Sequence, residues 1–205
     1  MIIKPTIATV FFLLILLTVN AQTKDFKRYS MKSAIVKYEI YGMQNGSSVL
    51  YFDDFGMKEA TYENTTLEMY GIKQETETVN YLHGFWQYNL DKLNDIATKT
   101  KNTMLESIVK QSADGDLVEV GLKMFSAMGG KKIGNEDIIG KSCEIWELQS
   151  LGTKVWVWKN IPLRSETDIM GIKINKVATS VDENAAIPAG KLSIPNDIEF
   201  KEIEY

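Results

Sequence analysis

One histidine, one cysteine and scattered carboxylates are the reactive groups this chain offers. His83 stands in an aromatic stretch, and any Ser-His-Asp or Cys-His arrangement has to use it. No G-x-S-x-G nucleophile elbow occurs. One His and one Cys, far apart in sequence, fall short of the ligand set a zinc ion needs. Gly129-Gly130 follows a helical pattern and lacks the partner lysine of a phosphate loop. Asp53-Asp54 and Glu136-Asp137 read as surface carboxylates. The expectation is a protein that is not an enzyme and holds no metal or cofactor. Cys143 sits in an alternating stretch, Ser142-Cys143-Glu144-Ile145-Trp146, and reads as a small buried hydrophobe. A lone cysteine excludes an intramolecular disulfide.

Large apolar side chains are more telling. Trp86, Trp146, Trp156 and Trp158 fall on predicted strands, and Trp156 and Trp158 share a face because strand side chains repeat every two residues. Met124, Phe125 and Met128 fall on one predicted helix. The candidate site is an apolar cavity between sheet and helix. Trp86, Trp156 and Trp158 line its sheet side, and Met124, Phe125 and Met128 its helix side. Methionine suits variable apolar ligands. The alternative is that the same residues fill a closed core.

The elements that must position them are mainly short strands with turn signals between them. Ala34–Tyr41 and Ser48–Asp53 read as a hairpin around Gly42–Ser47, with Asn45-Gly46 as its turn. Met57–Tyr62, Thr65–Tyr70, Ile72–Val79 and Tyr81–Tyr88 follow, and the polar alternation of Ile72–Val79 suggests an exposed or edge strand. Leu93–Gln111 has loose helical spacing. A clearer helix starts near Asp116, with Glu119 three residues on as in a capping box. Leu117, Val120, Met124 and Met128 share one face, and Gly129-Gly130 ends it. Strands return at Lys132–Ile138, Ser142–Leu148, Lys154–Trp158, Leu163–Asp168, Ile172–Val181 and Phe200–Ile203. The stretch between Asp182 and Asp197 reads as loop.

The first residues carry a single charge, Lys4, followed by the apolar run Ile7–Leu17 and then Val19-Asn20-Ala21. This is the pattern of a secretory signal peptide cut after Ala21. The run is shorter than the roughly 20 residues of a spanning helix. Residues 1–21 are therefore expected to be the signal and 22–205 a single periplasmic domain. The formal charge of −4, more negative still without Lys4, argues against nucleic acid, which needs clustered Lys and Arg. The partners left open are a lipid or other apolar ligand and a cell-envelope protein, the latter pairing with an exposed strand edge such as Ile72–Val79.

Three segments in order carry a resemblance: Gly140-Lys141-Ser142-Cys143-Glu144-Ile145-Trp146, then Lys154-Val155-Trp156-Val157-Trp158, then Asn160-Ile161-Pro162-Leu163. With Gly84–Leu90 and Asp91 before them, they resemble periplasmic domains of unknown function common in Bacteroidetes. Those domains in turn resemble, distantly, the LolA-like lipoprotein carriers. The resemblance implies a mainly β (α+β) fold, a curved antiparallel sheet or half-barrel with a helical plug on its concave face. It implies a cavity for acyl chains and carries over no catalytic residue.

Overall fold

Segments that alternate apolar and polar residues bury their apolar row only by pairing side by side. The computed structural model describes residues 27–69, 71–103, 106–107, 109, 122–123, 125–169 and 171–203. Twelve strands form one open sheet: β1 (Ala34–Gly42), β2 (Gln44–Asp53), β3 (Lys58–Met69), β4 (Ile72–His83), β5 (Trp86–Asp91), β6 (Ile96–Lys101), β7 (Lys131–Ile138), β8 (Lys141–Leu148), β9 (Thr153–Trp158), β10 (Ile161–Ile169), β11 (Ile172–Glu183) and β12 (Lys201–Glu202). Their order across the sheet is β12-β6-β5-β4-β3-β2-β1-β11-β10-β9-β8-β7. Two meanders, β1 to β6 and β7 to β11, are thus joined by antiparallel pairing of β1 with β11. The sheet is mixed, because the short β12 runs parallel to β6.

Several sequence expectations need correction. The stretch from Leu93 opens with a turn and then strand β6, whose Ala97 packs into an apolar cluster; helical residues appear only from 103 onward. Tyr81–Tyr88 is two strands, parted by a turn at Gly84-Phe85. Met57–Tyr62 and the described part of Thr65–Tyr70 merge into β3, because the polar Glu63-Asn64 pair continues the ladder to β4. The first hairpin turns at Met43, so Asn45 and Gly46 lie inside β2. Ile72–Val79 belongs to an interior strand. Its outer half is nonetheless wet, since β5 pairs with β4 only from Thr78 onward. The helical plug is represented among the described residues only by isolated or paired helical positions and a short run at 125–127. Half of the expected Asp116–Gly129 helix, Met124 included, lies outside the described residues. Its end is as expected: Gly129 has φ +88, and the Gly130 N–H donates to the Phe125 carbonyl, a helix-terminating bond.

Two apolar clusters lie on the sheet. In the β1–β3 region they take opposite faces, which the register makes plain. Ala34, Phe52 and Glu59 form one row, and Val36, Leu50 and Thr61 the next row on the same face. Tyr29, Val36 and Phe52 belong to the larger cluster, which also takes in Ile161, Leu163, Cys143 and Trp156. Tyr51, Ala60, Tyr81 and Tyr88 form a row on the other face. There the chain from β11 to β12 crosses over β3–β6, laying Leu192, Ile194, Ile198 and Phe200 against Ala60, Val79, Tyr81 and Leu90. Tyr62 donates to the Lys191 carbonyl at 3.0 Å, and His83 Nε2 sits 2.7 Å from the Leu192 carbonyl. A carbonyl only accepts, so Nε2 carries the proton.

Cys143 is buried, and burial pushes its thiol pKa up. The thiolate is the reactive form. Native protein is therefore expected to give almost no reaction with a thiol reagent at pH 8, and stoichiometric reaction once unfolded in urea. Fast labelling of the native state would contradict this burial.

Candidate functional site

The larger cluster does not fill its face completely. A cavity of about 270 Å³ remains, lined by Tyr38, Leu50, Thr61, Ser165, Lys176 and neighbours. The register accounts for the grouping. Leu50 pairs with Thr61, Tyr38 with Ser48, and Ser165 with Lys176, so alternate residues of five strands point the same way. The segment before β1 closes one side with Arg28 and Tyr29.

Charged groups in the wall are held in place. Glu59 accepts from Arg28 Nη1 at 2.8 Å and from Tyr29 Oη at 2.7 Å. Lys176 Nζ donates to Ser48 Oγ at 2.9 Å and Glu63 Oε2 at 3.1 Å, and lies 4.9 Å from the Tyr38 ring centre. Tyr38 Oη donates to the Pro162 carbonyl at 3.0 Å. Burial, then the Glu59 charge, raises the pKa of both Tyr29 and Tyr38. The wall is therefore amphipathic, with apolar surface from Leu50, Pro162 and the ring faces beside fixed charges of both signs.

A second hollow, of about 440 Å³, is lined by Glu147, Lys154, Glu166, Asp168 and Lys173 among others. It is walled by charged side chains at the turns and suits water. Among the described residues no group of three His, Cys, Asp or Glu is placed to hold a metal ion.

The residues singled out from the sequence are distributed as follows. Trp156 is buried in the larger cluster; its Nε1 donates to Glu136 Oε2 at 2.6 Å and the Arg164 guanidinium lies 4.5 Å over its ring. Trp158 packs half-buried against the same cluster, with the ammonium groups of Lys141 and Lys159 4.7 and 4.5 Å from its ring centre. Glu183 accepts from both lysines. Trp86 lies in the other half of the sheet, with Lys99 5.4 Å from its ring. Phe125 meets Trp146 edge-on at 5.9 Å. Met128 is exposed, and Met124 lies outside the described residues. The structure thus brings Trp156 and Trp158 together and keeps Trp86 apart. The cavity residues Tyr38, Leu50, Thr61 and Lys176 are not among those the sequence singles out. Their only sequence signal is alternation, which tells the face of each strand but not which strands adjoin.

No family model matches the sequence, and no curated protein does. Among solved structures, an uncharacterized conserved protein from Thermus thermophilus superposes with a TM-score of 0.52 at 9% identity, covering 84% of this chain and 91% of that one. MucB gives 0.44 at 11% identity over 85% of this chain and 61% of its own. LprF from Mycobacterium bovis gives 0.34 at 11% identity over 77% and 89%. At these identities the Thermus likeness shows a shared fold, and the two lower scores carry no argument.

Proposed function

We propose that this chain is an exported, non-enzymatic binding protein for a lipid or other amphiphile, seated in the cavity beside Tyr38, Leu50 and Thr61. The observation that carries this reading is the amphipathic wall. Leu50 and Pro162 suit methylenes, whereas Arg28, Glu59 and Lys176 suit a polar head. The volume, about 270 Å³, falls just below the ~300–1,000 Å³ typical of ligand sites and suits a head with the first part of a chain.

Topology supports a helical cover over this face. The connection from β6 to β7 leads from one flank of the sheet to the opposite edge. Near its end Phe125 lies on Trp146. Trp146 pairs with Val155, Val155 with Ser165, and Ser165 with Lys176. That row runs into Ser165 and Lys176 of the cavity wall, which supports a connection lying on the cavity side. Export rests on the expected signal peptide, and absence of catalysis on the lack of a recognisable constellation.

The test is native mass spectrometry of the protein as released into a bacterial periplasm, followed by organic extraction. Wild type is expected to carry a lipid of defined mass. Thr61→Trp puts an indole into the cavity and should abolish that load while leaving the far-UV circular dichroism unchanged. Equal lipid on the variant would remove the cavity from the site. Wild type that emerges clean and takes up no added fatty acid or phospholipid would end the ligand reading.

A further inference from the structure

Antiparallel hairpins place their turns at one end or the other of a sheet, and register fixes how far each turn projects. Gln44, at the start of β2, pairs with Leu67, and β3 and β4 run on past it to the Met69–Ile72 pair. Gly42, at the end of β1, pairs with Ile174, and β10 and β11 run on to the Ile169–Ile172 pair. Each outer hairpin therefore projects two residues, about 7 Å, beyond the β1–β2 turn between them. Four strand spacings, about 19 Å, separate their axes. These are two prongs of equal reach at the same end of the sheet.

The prongs also share chemistry. Both turns carry the same triplet, Gly71-Ile72-Lys73 and Gly171-Ile172-Lys173, with the glycines at φ +78 and +83. Ile72 is 71% exposed, Ile169 49% and Ile172 41%. Leu151, 54% exposed, joins the second prong from the β8–β9 turn, which is bound to it by the Asp168 N–H donating to the Gly152 carbonyl at 2.9 Å. A side chain at Gly152 would put its Cβ 2.1 Å from the Asp168 carbonyl oxygen, so this close approach requires glycine. A single exposed isoleucine is ordinary. Four apolar side chains on two matched projections form a pattern.

We propose that the two prongs dock the protein on a zwitterionic lipid surface, with Ile72, Ile169, Ile172 and Leu151 entering the interface. Lys73 and Lys173 stay at headgroup level on their flexible stems. Shape favours a bilayer. The prongs stand apart around a recessed turn, so a protein partner or a second copy must offer two matched hollows about 19 Å apart. The acyl boundary yields to any spacing. Charge selects the headgroup. Lys73 is paired with Glu75 at 2.8 Å and Lys173 with Asp168 at 3.5 Å. The tips therefore carry little net charge, and a chain of net charge −4 gains nothing from an anionic membrane. The inference rests on register and exposure and does not depend on the ligand site.

Flotation with phosphatidylcholine–phosphatidylethanolamine vesicles tests it, using the chain as the cell processes it. Wild type should float, in low and high salt alike. The double variant Ile72→Glu, Ile172→Glu should lose at least tenfold of the vesicle-bound fraction with unchanged circular dichroism, since both side chains are exposed. Ile72→Trp should show a blue-shifted tryptophan emission on vesicles, and Thr61→Trp should float like wild type. Wild type that stays in solution, or a double variant that floats equally, overturns the proposal. A wild-type dimer lost in the double variant, without flotation of either, assigns the prongs to a second copy and overturns it too.

Discussion

Phe52→Ala is expected to remove about 3–5 kcal/mol of folding stability, the usual cost of truncating a fully buried phenylalanine. Phe52 has no exposed surface and stands in the row Ala34-Phe52-Glu59. The Tyr29 ring packs on it, centroids 4.4 Å apart. Few neighbours can collapse into the space left behind. Ala34 is already a single methyl, and Tyr29 is held through its hydroxyl by Glu59. The loss is a large share of the ~5–15 kcal/mol that holds a domain together. Phe52→Leu keeps most of the volume and should cost less than half as much. Urea denaturation of the two variants measures both numbers. A loss below about 1 kcal/mol for Phe52→Ala would mean that the β1–β2 face is not the centre of the core. Limited proteolysis gives a second readout. Tyr29 anchors the segment before β1 to Phe52, so that segment should be cut first in the alanine variant.

Phe52 also shows what the sequence reveals and what it withholds. Its place on an alternating strand is legible, because period two is a local signal. Strand boundaries are less so. Gly84-Phe85 breaks an aromatic run that looks continuous, because neither residue is a strong turn signal in that company. The β6 segment hides behind loosely helical spacing because its cover, Phe200 and Ile198, comes from the far end of the chain. The helix end at Gly129 is legible because a left-handed glycine after an apolar period is again a local rule.

The candidate site fails to show in the sequence for the same reason. Tryptophans and methionines attract notice by size, yet Trp156 is tied into the core by Glu136 and Arg164, and Trp158 is engaged by two lysines. The cavity is lined instead by mid-sized residues that few patterns distinguish. Tyr38, Leu50 and Thr61 belong to one meander, Ser165 and Lys176 to the other. The pairing of β1 with β11 brings them together, and no short-range rule decides that pairing. Register shifts then add Thr179 to β11 opposite Lys37/Tyr38 and Leu163 to β10 opposite Val157/Trp156, and Tyr38 donates to the Pro162 carbonyl across this junction.

The same tyrosines make the fold sensitive to alkali. Unfolded tyrosine ionises near pH 10. In the folded chain burial, followed by Glu59, holds the pKa of Tyr29 and Tyr38 above that value, and burial with the Tyr81 hydroxyl raises Tyr62 to about 12. A group whose folded pKa is raised contributes stability in full below its unfolded pKa and loses it as pH climbs toward the folded one. Stability should therefore be level from pH 8 to 9 and fall steeply above pH 10. Each fully buried phenol steepens the fall by about 1.4 kcal/mol per pH unit at most, so Tyr29 and Tyr38 together give roughly 3, and half-buried Tyr62 adds less. Two pH units at that slope remove about 6 kcal/mol, the low end of the ~5–15 kcal/mol that holds a domain together, which places alkaline unfolding at about pH 12 or above. Urea titrations at pH 8, 10 and 11 would measure the slope, and tyrosinate absorbance would show a late step coincident with loss of the circular dichroism signal. The double variant Tyr29→Phe, Tyr38→Phe separates the causes: it should start less stable, because Glu59 and the Pro162 carbonyl each lose a donor, yet show a flatter alkaline slope. All nine tyrosines titrating together near pH 10, with the fold intact at pH 11, would sink the prediction.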